Sequence, residues 1–135
     1  MELGIRMGMD MKILVVDDFS MMRRITRKLL RELGYTNVAE ADDGFTALPL
    51  LESGNFDFLI TDWDMPGMSG IELLRTVRSN PVLSSLPVLI MTSEDRPEYV
   101  RGAEAAGANG YIVKPYTLEA LSFHLDQVCG SLAVA

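Results

Sequence analysis

The chain alternates short apolar runs with longer stretches in which apolar residues recur every three or four positions. Ile13-Leu14-Val15-Val16 is rich in β-branched side chains and ends at Asp17-Asp18. Such a run reads as a strand buried on both faces of a parallel sheet. Met22, Ile25, Leu29 and Leu33 follow at helical spacing, with Ser20 or Asp18 as the expected cap and Gly34 as the stop. The unit then repeats. Residues 38–41 form a weaker second strand, and residues 44–52 a short helix ended by Gly54. Pro49 lies inside that helix, where it lacks an N–H and crowds the carbonyl four residues back, so a kink or loosened turn is expected. Residues 56–61 read as strand three, ending at Asp62, and a loop with Pro66, Gly67 and Gly70 leads to a helix that stops before Asn80-Pro81. Residues 88–91 read as strand four, ending at Thr92-Ser93, followed by a helix from near Pro97 to Ala106 with Gly107 as its stop. Residues 110–113 read as strand five, ending at Lys114-Pro115, and Thr117 caps a last helix carrying Leu118, Leu121, Leu125 and Val128.

Five strands alternating with five helices imply an α/β fold: one doubly wound, five-stranded parallel sheet of flavodoxin-like (βα)5 type. The expected organisation is a mobile N-terminal extension over residues 1–11, one domain over 12–130 and a short tail over 131–135. Composition fits a single globular domain, with 48% apolar and 23% charged residues in 135. The net charge of −7 argues against DNA and against an acidic membrane surface. No apolar run approaches the roughly 20 residues of a membrane span, and the first residues lack the pattern of a signal peptide. A single cysteine, Cys129, makes no internal disulfide and fits a reduced cysteine of a cytoplasmic protein; a monomer is expected.

In such folds ligands bind beyond the carboxyl ends of the strands, near the point where strand order reverses. The residues at those ends are Asp17 and Asp18, Asp62 and Asp64, Thr92, and Lys114. One Asp in a loop is ordinarily a turn former; six polar groups gathered at one edge from four strands are another matter. Four carboxylates repel one another in a desolvated pocket, and Lys114 supplies only one compensating charge. A hard divalent cation, Mg²⁺, suits carboxylate and phosphate oxygens. Carboxylates, Mg²⁺, a hydroxyl and a lysine together suit phosphoryl transfer. The expected nucleophile is Asp62, at the end of the middle strand, because Cys129 and His124 both fall on the last helix, away from this edge.

The strings Val-Val-Asp17-Asp18-Phe-Ser-Met-Met-Arg-Arg-Ile, Thr61-Asp62-Trp63-Asp64-Met65-Pro66-Gly67, Thr92 and Gly110-Tyr111-Ile-Val-Lys114-Pro115 resemble those of response-regulator receiver domains. The likeness covers residues 12 to about 129, and Asp-Asp-Phe-Ser with Trp63 directly after Asp62 resembles the chemotaxis branch. It implies that Asp62 accepts a phosphoryl group from a chemotaxis histidine kinase of CheA type. Asp18 and Asp62 would bind Mg²⁺ with the backbone carbonyl of Asp64, and Asp17 would assist. Thr92 and Lys114 would contact the phosphoryl group, Tyr111 would turn inward as a switch, and Lys114-Pro115 would be a cis peptide. The output surface would be helix four, strand five and helix five, meeting the flagellar switch protein FliM, with a phosphatase as a further partner.

Two departures qualify this. Close family members carry Asn where this chain has Asp64, an extra carboxylate expected to favour the cation and repel the phosphoryl group. Residues 94–135 hold Glu94, Asp95, Glu98, Glu104, Glu119 and Asp126 against Arg96, Arg101 and Lys114. That acidic balance predicts poor docking on FliM and raises the alternative of a phosphate sink or another target. Positive charge collects instead at Arg23, Arg24, Arg27, Lys28 and Arg31, a stripe read mainly as a solvated helix face. A haloacid-dehalogenase-like phosphatase also begins with Asp-x-Asp at a strand end. Pro66 stands where those enzymes carry a hydroxyl residue, and the chain has no length for their cap.

Overall fold

A computed structural model describes residues 10–134, with side chains described as far as residue 129. Five parallel strands, β1 (Ile13–Val16), β2 (Val38–Ala41), β3 (Phe58–Asp62), β4 (Val88–Thr92) and β5 (Gly110–Val113), lie in the order β2-β1-β3-β4-β5. Five helices connect or follow them: α1 (Ser20–Glu32), α2 (Gly44–Gly54), α3 (Gly70–Ser79), α4 (Pro97–Ala105) and α5 (Leu118–Val134). Alternate strand residues face opposite layers, as strand geometry requires. Leu14, Val16, Leu59, Val88 and Ile90 pack with α2, α3 and α4, whereas Ile13, Val15, Phe58, Ile60, Leu89 and Met91 pack with α1 and α5. Residues covered on both faces explain why the strands read as continuous apolar runs.

Several local expectations change. Neither Ser20 nor Asp18 caps α1; its N-cap is Phe19, whose N–H donates to Asp17 Oδ1 at 2.9 Å. Residues 56 and 57 precede β3, because the Asp57 carboxylate accepts from the Lys12 N–H and Lys12 Nζ lies over the Phe56 ring. α2 runs unbroken through Pro49 to Gly54 and ends on Asn55 in the left-handed conformation, φ 54°. Met11, assigned to the extension, is 1% exposed and packs in the α1/α5 layer, its sulfur 4.0 Å from Cys129 Sγ. Residues 1–9 of that extension lie outside the described residues, as do the side chains of the tail. The cap expected of Thr117 is present, its Oγ1 accepting from the Ala120 N–H, and Ser69 and Glu72 close a capping box on α3 that was not among the expected caps.

The chain leaves β1 for β2 on one side and returns to β3 on the other, so the order reverses between β1 and β3. The carboxyl ends of these two neighbours carry Asp17 and Asp62. Among the described residues no helix is long and apolar enough to cross a membrane.

Candidate functional site

Asp17 follows β1 directly, and each of its polar atoms is engaged. Its N–H donates to the Ala41 carbonyl at 3.2 Å, and its own carbonyl accepts from Arg23 Nη1 at 2.6 Å. Oδ1 accepts from the Phe19 N–H, and Oδ2 lies 3.5 Å from Lys114 Nζ. Asp62 closes β3, with Lys114 Nζ 3.1 Å from its Oδ1. Both carboxylates are removed from solvent, Asp17 at 0% and Asp62 at 4% exposure. Asp18 is exposed at the mouth, and one carboxylate oxygen from each of Asp17, Asp18 and Asp62 falls within 4.8 Å of the others.

The charges at this edge do not balance. Burial, then the charge of Asp17, push the Asp62 carboxyl up to about 6, against the lowering pull of Lys114 and with a further upward push from Asp64. Burial likewise raises Asp17, although the Phe19 N–H and Lys114 oppose it. Burial alone would lower Lys114; Asp62 and then Asp17 outweigh it and hold the ammonium charged. Two buried carboxylates and a third at the mouth share one ammonium. The donor set, all carboxylate oxygen with a net negative balance, fits a hard divalent cation rather than a soft metal. The predicted fourth carboxylate, Asp64, is exposed and stands outside the cluster of three.

Thr92 is buried at the end of β4, the strand beside β3, and its Oγ1 accepts from the Glu94 N–H at 3.1 Å. The Lys114 N–H donates to the Thr92 carbonyl at 2.6 Å, tying the ends of β4 and β5. Lys114-Pro115 is cis, as the resemblance implied. Tyr111 is half-buried, with its hydroxyl donating to the Glu94 carbonyl and its ring edge-to-face with Trp63, the ring centroids 6.5 Å apart. Trp63 in turn meets Tyr99 of α4 at 5.1 Å. Thr92, Tyr111 and the head of α4 thus share the Glu94 turn.

Two contributors were missed in the sequence. A Cβ on Gly70 would stand 2.0 Å from the Asp62 carbonyl, so only glycine lets α3 begin against the end of β3. Gly70 carried only the signal of a loop residue. The cationic stripe of α1 is split, too. Arg23 Nε and Arg27 Nη1 bind the two oxygens of Glu40 on β2 at 3.0 and 2.9 Å, while Arg24, Lys28 and Arg31 face solvent. Burial would raise the Glu40 carboxyl, but hydrogen bonds from Arg27 and Arg23 hold it below the usual carboxylate range.

An acidic crevice at the reversal point, with Thr, Lys and cis-Pro on the flanking strands, defines a receiver of the two-component type. Residues 13–126 match the response regulator receiver domain, and the chain belongs to that family. Within it the likeness is to chemotaxis proteins. The chain is 59% identical over 118 residues to chemotaxis protein CheY of Pseudomonas aeruginosa, spanning 87% of this chain and 95% of that one. The solved structure of Vibrio cholerae CheY4 superposes with a TM-score of 0.82 at 36% identity, covering 91% of this chain and 99% of that one. The receiver domain of the sensor histidine kinase PA1611 of Pseudomonas aeruginosa matches with a TM-score of 0.80 at 26% identity, over 89% and 98% of the two chains. That structure has a magnesium ion coordinated in its active-site cleft. The chain is a CheY-like response-regulator receiver.

Proposed function

We propose that Asp62 is the phospho-acceptor of a chemotaxis signalling protein in the cytoplasm, working as a monomer with a CheA-like histidine kinase. The observation that carries this is the buried Asp62 carboxylate, held 3.1 Å from Lys114 and grouped with Asp17 and Asp18. A carboxylate oxygen of Asp62 attacks the phosphorus of a phosphohistidine; the P–O bond forms as the P–N bond breaks, and the imidazole leaves and is reprotonated. Lys114 orients Asp62 and then pairs with the transferred oxygens, and the Thr92 hydroxyl donates to them. Asp17, Asp18 and Asp62 are the residues that would hold Mg²⁺, with Asp64 adding negative charge from outside. When bound, the cation neutralises phosphoryl oxygens as charge develops.

The mark adds a charge of about −1.5 to −2 at this edge. Thr92 turns toward it, and Tyr111 leaves the Glu94 carbonyl to fill the vacated space, carrying the change into α4, β5 and α5. Incubation with a small acyl-phosphate donor and Mg²⁺, followed by intact mass, should show a gain of one phosphoryl group that Asp62→Asn abolishes. A gain that survives Asp62→Asn sinks the assignment.

The acidic output face favours a second reading, a phosphate sink or a target other than the motor. Arg96 is engaged by Glu94 at 2.7 Å and Glu98 at 3.8 Å, while Glu104, Glu119 and Asp126 are exposed. Weak binding of the phosphorylated protein to an N-terminal FliM peptide is expected, with little gain over the unphosphorylated form. Tight, phosphorylation-dependent binding would restore the motor reading. The haloacid-dehalogenase-like reading has no support from the receiver family to which the chain belongs.

A further inference from the structure

We propose that Arg23 and Glu40 are positioning residues for the cation site, acting through Asp17. The proposal rests on the reading of Asp17, Asp18 and Asp62 as the residues that hold a divalent cation. Asp17 lies at the start of a turn whose helix has no side-chain cap, and its own Oδ1, accepting from the Phe19 N–H, holds the turn locally. Arg23 ties the turn from inside the helix by donating to its backbone. Its Nη1 reaches back six residues to the Asp17 carbonyl at 2.6 Å, and its Nε is fixed by Glu40 Oε1 at 3.0 Å. The second Glu40 oxygen accepts from Arg27 Nη1 at 2.9 Å, so the carboxylate cannot rotate away without losing both arginines.

The chain Arg27–Glu40–Arg23–Asp17 therefore joins α1, β2 and the turn after β1. The Arg23 side chain is only 17% exposed, so its ion pair is screened less than a surface pair. With its carbonyl so held, Asp17 keeps Oδ1 on the Phe19 N–H and Oδ2 toward Lys114 and Asp62. Partners that orient a ligand in this way commonly change metal affinity by about 10-fold or more when removed.

The sign of the effect separates positioning from simple charge. Arg23 is a cation near a cation site, so by Coulomb's law alone its removal should tighten Mg²⁺ binding. Loss of positioning should weaken it. Mg²⁺ titration of the full chain, followed by Trp63 fluorescence and by calorimetry, should show about 10-fold weaker binding in Arg23→Met and a smaller loss in Glu40→Gln. Arg24→Met, which removes an exposed neighbouring charge, should stay within about twofold of wild type or tighten slightly. Arg23→Lys keeps the charge and the stem but cannot bridge both partners, and should fall between wild type and Arg23→Met. It serves as the reporter if Arg23→Met does not fold. Unchanged or tighter binding in the Arg23 variants overturns the positioning role alone. A wild-type chain that binds no Mg²⁺ overturns the cation site itself, and this proposal with it.

Discussion

Charge is buried at both ends of the sheet, and the two ends treat it differently. At the amino ends of β4 and β5, Arg78 of α3 is half-buried and has no carboxylate partner among the described residues. Its guanidinium donates to the carbonyls of Gly107, Leu86 and Ser84 and to Asn109 Oδ1, at 2.6 to 3.2 Å. Gly107 permits this with φ +102°, and a Cβ there would lie 3.0 Å from Arg78 Nε. A delocalised cation surrounded by fixed carbonyl dipoles is complete as it stands. The carboxyl ends hold the opposite case, where Asp17 and Asp62 share a single ammonium and burial pushes Asp62 up to about 6. Among the described residues no buried side-chain polar atom lacks a hydrogen-bond partner, so the difference lies in charge and not in hydrogen bonding. A finished charge site stabilises the fold; an unbalanced one is a place for a ligand.

The largest test of that contrast is Arg78→Met. It removes the donors for three carbonyls and the Asn109 amide oxygen at once, and should cost about 3 kcal/mol in urea unfolding. Mg²⁺ affinity should stay within about twofold, because nothing in the Arg78 clasp touches the acidic edge. A loss below about 1 kcal/mol would mean that the clasp is merely decorative.

Asp62→Asn should move stability the other way. The folded carboxyl, at about 6, lies above its ordinary value of 3.8, so between those pH values the folded chain binds more protons than the unfolded one. Its contribution to stability is therefore lost as pH rises from about 4 to 6, and at pH 7.5 the ionised group destabilises the metal-free fold by about 3 kcal/mol. Melting in EDTA should show Asp62→Asn above wild type at pH 7.5, with the gap closing near pH 4.5. Mg²⁺ should raise the wild-type midpoint at pH 7.5 and do so less at pH 5, where protons compete for Asp62. A gap that widens on acidification would reverse the assigned sign.

The same contrast governs what could be read before folding. The strand ends were legible because a doubly wound sheet turns runs such as residues 13–16 into buried strands and leaves the next polar residue at one edge. Asp17, Asp18, Asp62, Thr92 and Lys114 needed only that periodicity to be gathered. Roles that depend on what a side chain reaches were not legible. Arg23 looked like one cation of a stripe, since nothing in its spacing reveals a carbonyl six residues back or a carboxylate on β2. Gly70 reads as a loop glycine and Gly107 as a helix stop, yet one makes room for the Asp62 carbonyl and the other for Arg78. Neither Ser20 nor Asp18 caps α1, because Phe19 takes the N-cap position and the Asp17 side chain closes the turn on the Phe19 N–H. Met11 was misplaced because an isolated apolar residue ahead of a strand has no period to mark it as core.

The smallest effect belongs to Asp64, the acid that lies between the two treatments of charge. It is exposed and outside the cluster of three, yet its charge still acts on Asp62. A charge acting through space, without ligating, should change Mg²⁺ affinity modestly and lose its influence as salt screens it. Asp64→Asn is therefore expected to bind Mg²⁺ about two- to threefold more weakly at low ionic strength, and about equally at 0.5 M salt. Trp63, between the two acids in sequence, is the fluorescence reporter. Equal affinities at low salt would show that Asp64 adds nothing to the site. A large loss that persisted in high salt would show that Asp64 holds the cation itself, and the boundary of the acidic site would then have to include the exposed loop after β3.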